Sequence, residues 1–348
     1  MANKGTKTLI IVLLILIIVS GIILAYKIME DNKKVVNQEK IEEKTEIAEV
    51  KEEPKEKPIQ IYSGTDRPIA VMIDNSKEAW PQAGLNKAYM VYEIIVEGGE
   101  TRLMALFKGQ NLEKIGPVRS SRHYFLDYAM ENDAIYTHFG WSPQAESDIS
   151  TYRINNINGI TESSEIFWRV KDKAAPHNAV TSTEKILKSA NAKKYRTTSN
   201  KESVLKYTTE AVNLEDGEVA QTVTVPHSTL QTVKYEYNAE KQVYNRFARN
   251  KAQTDWTSGE AVTTKNIIIT FCDNVAIQGD TSGRQDLKNI GTFDGYYITN
   301  GKAIKIKCIK NARDKKTIYK DLNGNEIQVN DGNTFVNICH KNAKVTIE

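Results

Sequence analysis

The chain has 348 residues, a length typical of about two globular domains. Its 40% hydrophobic and 26% charged residues are ordinary globular usage, which excludes a disordered, collagen-like or coiled-coil protein. The net charge of +3 is too small to indicate a nucleic-acid-binding protein, and three cysteines are too few for a disulfide-stabilised scaffold.

The N-terminal segment is strongly apolar. Residues 9–26 contain no charged side chain and are just long enough to cross the hydrocarbon core of a bilayer as a helix. No small-residue cleavage site follows the run and no cysteine stands after it to carry a lipid, so we favour an uncleaved transmembrane signal anchor over a cleaved signal peptide. Lys4 and Lys7 precede the run without an acidic residue. The positive-inside rule therefore predicts a cytoplasmic stub at residues 1–8 and an extracytoplasmic location for everything after Tyr26.

The next segment, residues 27–58, is dense in lysine and glutamate and holds few large apolar side chains. Such a composition cannot bury enough surface to offset the entropy lost on ordering. We predict a charged, disordered tether that acts as a solvated spacer, with helix at most in part between Asn37 and Glu53. Pro54 and Pro58 would end any such helix.

Residues 59–205 alternate between strand and helix patterns. Strands are predicted at residues 69–73, 89–96, 101–107 and 134–139, and helices from Ser120 or Ser121 to about Glu131 and from Pro143 onward. Apolar runs closed by turn residues indicate buried strands, and the helical segments between them need a sheet to pack against. We therefore predict an α/β domain at 59–205 with a mixed sheet and helices.

The charged residues around the second and third strands have two interpretations. If Gly98-Gly99 is a two-residue turn, Ile95 stands opposite Arg102, and Arg102 reaches Glu93 and Glu97. These charges would then belong either to a functional pocket or, equally well, to a partly buried structural ion network.

Basic residues also gather where the next helix begins. Arg119, Arg122 and His123 lie there, and because a helix N-terminus is already partly positive, two guanidiniums at that point indicate a bound anion. Together with Arg102 they form the predicted ligand-binding set. Candidate acid–base residues are Asp74, Glu97, His138 and His177. Several of these residues follow predicted strand ends, where α/β sheets bind ligands. For each histidine, a hydrogen-bonded structural role is the alternative.

Four segments carry a distinctive set of motifs, namely Arg67–Asn75 (RPIAVMIDN), Val96–Arg102 (VEGGETR), Gly116–Arg122 (GPVRSSR) and Ala175–Asn178 (APHN). In this order and spacing they resemble the YerB-like family of bacterial envelope proteins, domain of unknown function 3048. The resemblance continues to Ile338. It implies an extracytoplasmic protein with a two-domain body and no settled activity. Many family members look like lipoproteins, whereas this chain lacks the lipid-bearing cysteine, so its anchoring would depend on the helix alone.

Residues 206–348 follow a period of two, with Asp-Gly and Asn-Gly pairs between the apolar runs. This pattern predicts a small, mainly antiparallel β domain. Cys272, Cys308 and Cys339 are expected to be small core side chains, with one disulfide left open. The basic stretch 302–320 is either a patch for an anionic polymer or, the favoured alternative, the soluble face of edge strands.

Several chemical signatures are missing from the sequence. It contains no phosphate loop, no dinucleotide-binding glycine pattern and no Gly-x-Ser-x-Gly elbow, and no cofactor is predicted. His123, His138 and His177 would have to meet from three distant loops to bind zinc, so no metal site is predicted either.

Two functions remain open. The first is a non-catalytic, membrane-anchored cell-envelope protein that binds an anionic glycopolymer, a glycan or an envelope protein through an Arg/His-lined cleft. The second is an enzyme acting on a cell-wall glycopolymer or a polyprenyl-pyrophosphate-linked precursor, by analogy of layout with the LytR-CpsA-Psr envelope transferases. The missing catalytic signature favours the first, and the density of ionisable residues favours the second. No nucleic acid is expected as a partner.

Overall fold

The computed structural model describes residues 4–46 and 58–348, and the chain divides into two compact units, Met1–Glu56 and Lys57–Glu348. The first unit contains one long helix, α1 (Lys4–Glu46). Its segment Leu9–Val36 is apolar and long enough to cross a membrane by length and composition.

Helix α1 continues past the predicted membrane span into the charged segment. Residues 27–46 are helical throughout, where the sequence analysis expected a disordered tether with helix only in part. Lysine and glutamate are good helix formers, and no proline interrupts the chain before Pro54. The rest of the predicted tether, residues 47–57, lies outside the described residues.

The second unit contains helices and strands throughout its length. The helices are α2 (His123–Glu131), α3 (Pro143–Thr151) and α4 (Thr183–Ala192). The strands up to residue 205 are β1 (Ile69–Asp74), β2 (Met90–Ile95), β3 (Thr101–Phe107), β4 (Ile135–His138), β5 (Asn156–Asn158), β6 (Trp168–Arg169) and β7 (Ala179–Val180). The later strands are β8 (Lys206–Thr208), β9 (Glu218–Val219), β10 (Thr222–Pro226), β11 (Thr232–Asn238), β12 (Val243–Ala248), β13 (Lys251–Ala252), β14 (Thr263–Thr264), β15 (Asn266–Ala276), β16 (Gln285–Lys288), β17 (Gly291–Thr299), β18 (Lys302–Lys310), β19 (Ile318–Asp321), β20 (Gln328–Asn330), β21 (Thr334–His340) and β22 (Thr346–Ile347).

A large mixed sheet runs through both halves of this unit. Its strand order is β19-β18-β17-β15-β21-β2-β3-β1-β4-β5, so β21 from the C-terminal half lies between β15 and β2. β21 is parallel to both neighbours, while β1 is antiparallel to β3 and parallel to β4. The predicted fold class, a mixed sheet with helices followed by antiparallel strands, is confirmed. The predicted division into 59–205 and 206–348 stays a prediction.

Both faces of the large sheet are covered. In β1, Val71 and Ile73 belong to a hydrophobic cluster that also contains side chains of α4 and of β10 and β11 in a second, six-stranded sheet, whereas Ala70 and Met72 belong to a cluster that contains side chains of α2 and α3. Burial on both faces explains why the sequence of β1 is continuously apolar rather than alternating. In β10, by contrast, buried and half-buried side chains alternate, as in a sheet with one face toward the core.

The connection between β2 and β3 differs from the predicted two-residue turn. Glu97–Gly99 forms a 3₁₀ turn in which Gly98 and Gly99 have φ values of 69° and 74°. Ile94, not Ile95, therefore stands opposite Arg102. Glu93 instead stands opposite the next residue of β3, Leu103. Because neighbouring strand residues point to opposite faces, the Arg102 side chain lies on the other face of the sheet from Glu93.

Three other local predictions have clear outcomes. Helix α3 begins as expected, with Ser142 as its N-cap and Pro143 as its first residue. Helix α2 begins later than expected, at His123, because Arg122 is its extended N-cap residue in place of Ser120 or Ser121. All three cysteines are buried and unpaired with one another, which confirms that they are core residues.

Candidate functional site

The C-terminal end of β1 is bordered by a segment that brings basic side chains to it. Arg119 N–H donates to Met72 O and Asp74 N–H donates to Pro117 O, each at 2.9 Å. Gly116 permits this close approach, because it has φ 136° and a Cβ there would lie 2.8 Å from the Val118 nitrogen. The side chain of Arg119 consequently lies beside that of Asp74.

A second segment brings His177 to the same place. Val118 N–H donates to Ala179 O at 2.6 Å, so the chain two residues after His177 is bonded to the chain just before Arg119. His177 N–H also closes a turn onto Ala174 O at 2.9 Å. These backbone bonds join parts of the sequence that are about 60 residues apart, which no local pattern could have indicated.

Asp74 is the centre of the resulting cluster. Its Oδ2 lies 2.8 Å from His177 Nδ1 and 3.1 Å from Arg119 Nε, and its Oδ1 accepts the Ser76 N–H at 3.0 Å. Ser76 Oγ is 2.9 Å from the same His177 nitrogen. Burial by itself would raise the pKa of Asp74, but the Ser76 N–H, Arg119 and His177 outweigh it, so the pKa lies below its ordinary value. Asp74 is therefore an ionised, buried anchor for two cationic or hydrogen-bonding side chains.

The two anchored side chains reach solvent. Asp74 is nearly fully buried, whereas the Arg119 and His177 side chains are 26% and 20% exposed. Within residues 58–348, no protein partner within hydrogen-bonding distance is found for the Arg119 terminal nitrogens or for His177 Nε2. Because Asp74 orients both groups by their inner nitrogens, their outer nitrogens remain to bind an anion from outside.

Next to this cluster, Glu97 binds two arginines. Arg122 contacts both Glu97 oxygens, and Arg102 Nη2 donates to Oε1 at 3.1 Å. Arg102 and Arg122 also donate to the backbone carbonyls of Ser120 and Ser121, both at 2.7 Å. Both arginines are buried and satisfied by the protein itself, which favours a structural role for them.

The charges of this second group affect one another. Burial would raise the pKa of Glu97, but the hydrogen bond from Arg122 and the charges of Arg102 and Arg122 lower it to about 2. Burial and the nearby Arg122 lower the pKa of Arg102 to about 10, so it is still charged at neutral pH. Across the two groups, three guanidiniums share two carboxylates, which leaves the end of β1 with an excess of positive charge.

The other two predicted histidines have contacts of their own. His138 is completely buried, with Nδ1 2.8 Å from Gly140 O and Nε2 3.2 Å from Asn156 Oδ1, and burial lowers its pKa to about 4. A buried ring whose contacts are all with the protein fits the structural alternative. His123 contacts Asp286 of β16 at 3.0 Å, and this contact turns its ring toward the β15–β16 hairpin. In the described residues, no group of three His, Cys, Asp or Glu side chains is placed to hold a metal ion.

The basic stretch 302–320 does not form a continuous surface. Lys310 is buried and pairs with Glu131 at 2.7 Å, and Arg313 bonds to Asp127 and Asp148. Lys305 and Lys307 are exposed on β18, which pairs with β17 on one side and with β19 and β9 on the other and is therefore not an edge strand. Since its members point in different directions and several are neutralised, the stretch fits the soluble-face alternative.

Comparison with known proteins matches the chain to two family models, described as the Protein of unknown function (DUF3048) N-terminal domain at residues 56–196 and the corresponding C-terminal domain at residues 223–336. A relative described as putative lipoprotein YerB, from Bacillus subtilis (strain 168), is 31% identical over 266 residues, which is 76% of each chain. The chain belongs to the DUF3048 family. This confirms the resemblance drawn from the four motifs.

A solved DUF3048 structure has the same architecture. The crystal structure of YerB protein from Bacillus subtilis matches with a TM-score of 0.73 and 29% identity, and the match covers 81% of this chain and 94% of that chain. The relative is named a putative lipoprotein, and helix α1 has an apolar segment, so both are consistent with membrane association.

Two contacts at or near this DUF3048 site were not predicted. Ser76 was not among the predicted site residues, although it stands two residues after Asp74, the position from which the N–H of an Asp-x-Ser turn donates back to the carboxylate. Glu93 was assigned to Arg102, whereas it pairs with Arg246 of β12. The first had a local signal in the sequence. The second had none, because the partners are 153 residues apart.

Proposed function

We propose that this DUF3048 protein is a membrane-anchored, extracytoplasmic envelope protein that binds phosphate or carboxylate groups of an envelope glycopolymer. The binding groups are the outer nitrogens of Arg119 and His177. The observation that supports this proposal is the sharing of Asp74 Oδ2, which holds both partly exposed side chains by their inner nitrogens. Arg102 and Arg122 contribute positive potential, and Glu97 holds them in place.

The charge and geometry favour an anion over other ligands. Arginine offers a planar pair of donors that matches phosphate and carboxylate oxygens, and His177, held on the same Asp74 oxygen, adds a further polar group. Arg119 has only its Nε against a protein carboxylate, so binding an anion breaks no ion pair. A surface site of this kind suits repeated weak contacts along a polymer better than burial of a small metabolite.

The anchor of the proposed protein is helix α1. Its apolar segment is long enough to span a bilayer, and residues before Leu9 carry lysine without acid. The relative's description as a putative lipoprotein suggests the same compartment by a different attachment. Here the three cysteines are buried in the body at positions 272, 308 and 339 of the sequence, so the proposed anchor is the helix and not a lipid.

The binding proposal is tested by titrating the full chain in lipid nanodiscs with inorganic phosphate, pyrophosphate and purified teichoic acid. We expect binding that weakens with salt and is reduced at least about tenfold by Arg119→Met and by His177→Phe. Arg284→Met is a matched control, because Arg284 is also about one-quarter exposed and paired with an aspartate, Asp280. Equal binding by Arg119→Met and wild type would refute this site. If none of the three probes binds the wild type, a protein ligand would replace the polymer.

The anchor is tested in bacterial cells by carbonate extraction and by protease treatment of intact cells. We expect the chain to stay in the membrane pellet and its body to be digested from outside. Deleting residues 9–26 should release the body from the membrane, and a cytoplasmic protein serves as the shielded control. A body that stays protected in intact cells would contradict the proposed orientation.

The second function, an enzyme acting on a glycopolymer or a polyprenyl-pyrophosphate-linked precursor, has one supporting observation. Asp74 Oδ2 lies 2.8 Å from His177 Nδ1, which is the arrangement that prepares Nε2 as a general base or acid. Incubation with muropeptides, teichoic acid and undecaprenyl-linked precursors, followed by mass spectrometry, tests it. Turnover that is lost in His177→Gln but not in His123→Gln would support the enzyme, and no turnover would leave the binding protein.

A further inference from the structure

We propose that the six-stranded sheet positions the anion site through Asn75, so that the two DUF3048 regions form one functional unit. This inference rests on the proposed anion site. The side chains concerned are Gln231, which directly precedes β11, and Arg249, which directly follows β12 of that sheet. They act as positioning residues, since their contacts are with Asn75 and not with the outer nitrogens of the site.

Asn75 stands between the two residues that bind His177. Asp74 precedes it and Ser76 follows it, so any movement of the Asn75 backbone moves both. The Asn75 carbonyl accepts Gln231 Nε2 at 3.1 Å and Arg249 Nη2 at 3.4 Å. Because Gln231 and Asn75 are both completely buried, water does not compete for the bond between them.

The Asn75 side chain is held as firmly as its carbonyl. Its Nδ2 donates to Thr101 Oγ1 at 2.8 Å and to Glu93 Oε1 at 3.2 Å, and its Oδ1 accepts Gln82 Nε2 at 2.9 Å. Gln82 also donates to the carbonyl of Asp74 at 3.1 Å. A buried amide with all of these bonds has one orientation available to it, and this fixes the direction in which Asp74 points.

The network around Asn75 is completed from the six-stranded sheet. Gln253 Nε2 donates to Gln82 Oε1 at 2.8 Å, and the buried Arg246 bonds to both Gln253 and Glu93. Gln231 and Arg249 both contact Glu100 as well. The C-terminal region therefore supplies donors to each side of Asn75. A binding site loses affinity when the residues that orient its binding side chains are removed, even if those side chains themselves are unchanged.

The test is Gln231→Met in the full chain, reconstituted in detergent micelles. Gln231 Oε1 has no partner among the described residues, so the substitution removes only the donations to Asn75 and Glu100. We expect the affinity for inorganic phosphate to fall about tenfold. We also expect the Nδ1–H proton resonance of His177, which the hydrogen bond to Asp74 protects from exchange, to broaden or disappear in histidine-labelled protein.

Asn289→Leu is the matched control. It removes a buried amide donor that bonds to Asp127 at 3.0 Å, on the side of the sheet that packs against α2. This variant should keep both the phosphate affinity and the His177 resonance. If it loses them as Gln231→Met does, the effect is a general loss of packing, and the inference is wrong.

The outcomes separate this inference from the proposed function. If Gln231→Met binds phosphate like the wild type and keeps the His177 resonance, the positioning role is wrong and the anion site stands. If the wild type binds neither phosphate, pyrophosphate nor teichoic acid, the proposed function fails, and the resonance measured without ligand still decides the positioning role. Should Gln231→Met not fold, Arg249→Gln takes its place with the same two measurements.

Discussion

Two carboxylate–arginine pairs, whose carboxylates lie on β2 and β1 of the large sheet, differ in their access to solvent. Glu93 and Arg246 are completely buried, and their remaining polar atoms bond mainly to other protein groups. Asp74 is equally buried, but its partner Arg119 reaches solvent with its terminal nitrogens free of described partners. The same residue types therefore give a structural element in one place and a candidate binding site in the other. The difference lies in solvent access and in how many donors the protein itself satisfies.

The sharpest way to test this comparison is Arg246→Met. It leaves the Glu93 carboxylate buried without its counter-charge, and we expect the free energy of unfolding to fall by about 3–5 kcal/mol. Urea denaturation followed by circular dichroism measures it. The double variant Glu93→Leu with Arg246→Met should recover part of the loss, because no unpaired charge remains. A loss below about 1 kcal/mol in the single variant would show that the pair is not a structural element.

A smaller effect is expected from Glu97→Gln, which removes the carboxylate shared by Arg102 and Arg122. Losing a charged hydrogen-bond acceptor between two buried guanidiniums should cost about 2 kcal/mol at pH 7. Because folding lowers the pKa of Glu97 to about 2, its stabilising contribution is fully present above the ordinary value of 4.5 and is lost as the pH falls through 2. The difference between variant and wild type should therefore shrink between pH 4.5 and pH 2. A constant difference would contradict this role.

His138 gives a prediction for a different pH range. Burial lowers its pKa to about 4 from 6.5, so the unfolded chain takes up the proton first as the pH falls. The free energy of unfolding should therefore fall by about 1–2 kcal/mol between pH 7 and pH 5. The buried His227, whose pKa is also lowered, should make this fall larger. His138→Gln should flatten this slope in unfolding measurements, even if its stability at pH 7 is lower. An unchanged slope would argue against a neutral, buried His138.

The smallest effect on stability is expected for Arg119→Met. The Arg119–Asp74 pair is open to water on one side, so its loss should change the free energy of unfolding by less than about 1 kcal/mol. Thermal unfolding of the variant and the wild type at pH 7 measures it. A loss above about 2 kcal/mol would place Arg119 with Arg246 as a structural residue and remove the contrast between the two pairs.

The local parts of the structure were predictable. Apolar runs indicated β1 and β2, Ser142-Pro143 indicated the start of α3, and the motif residues indicated the family. The arginines at 102 and 122 were expected to bind an external anion, yet each bonds to Glu97 and to a backbone carbonyl. For Arg122 the distinction depended on the folded chain, because this residue and Glu97 are 25 residues apart and no local pattern joins them.

The amino-acid sequence by itself determined the apolar N-terminal helix, the strands with their alternating or continuous burial, and the presence of Asp74 and Arg119 near strand ends. These features follow from local periodicity and turn chemistry, which act over a few residues. Only the tertiary structure decided that His177 joins Asp74, that Arg246 joins Glu93, and that the six-stranded sheet holds Asn75. Those contacts join residues about 100 to 170 positions apart, and they exist because strands of both halves pack into one fold.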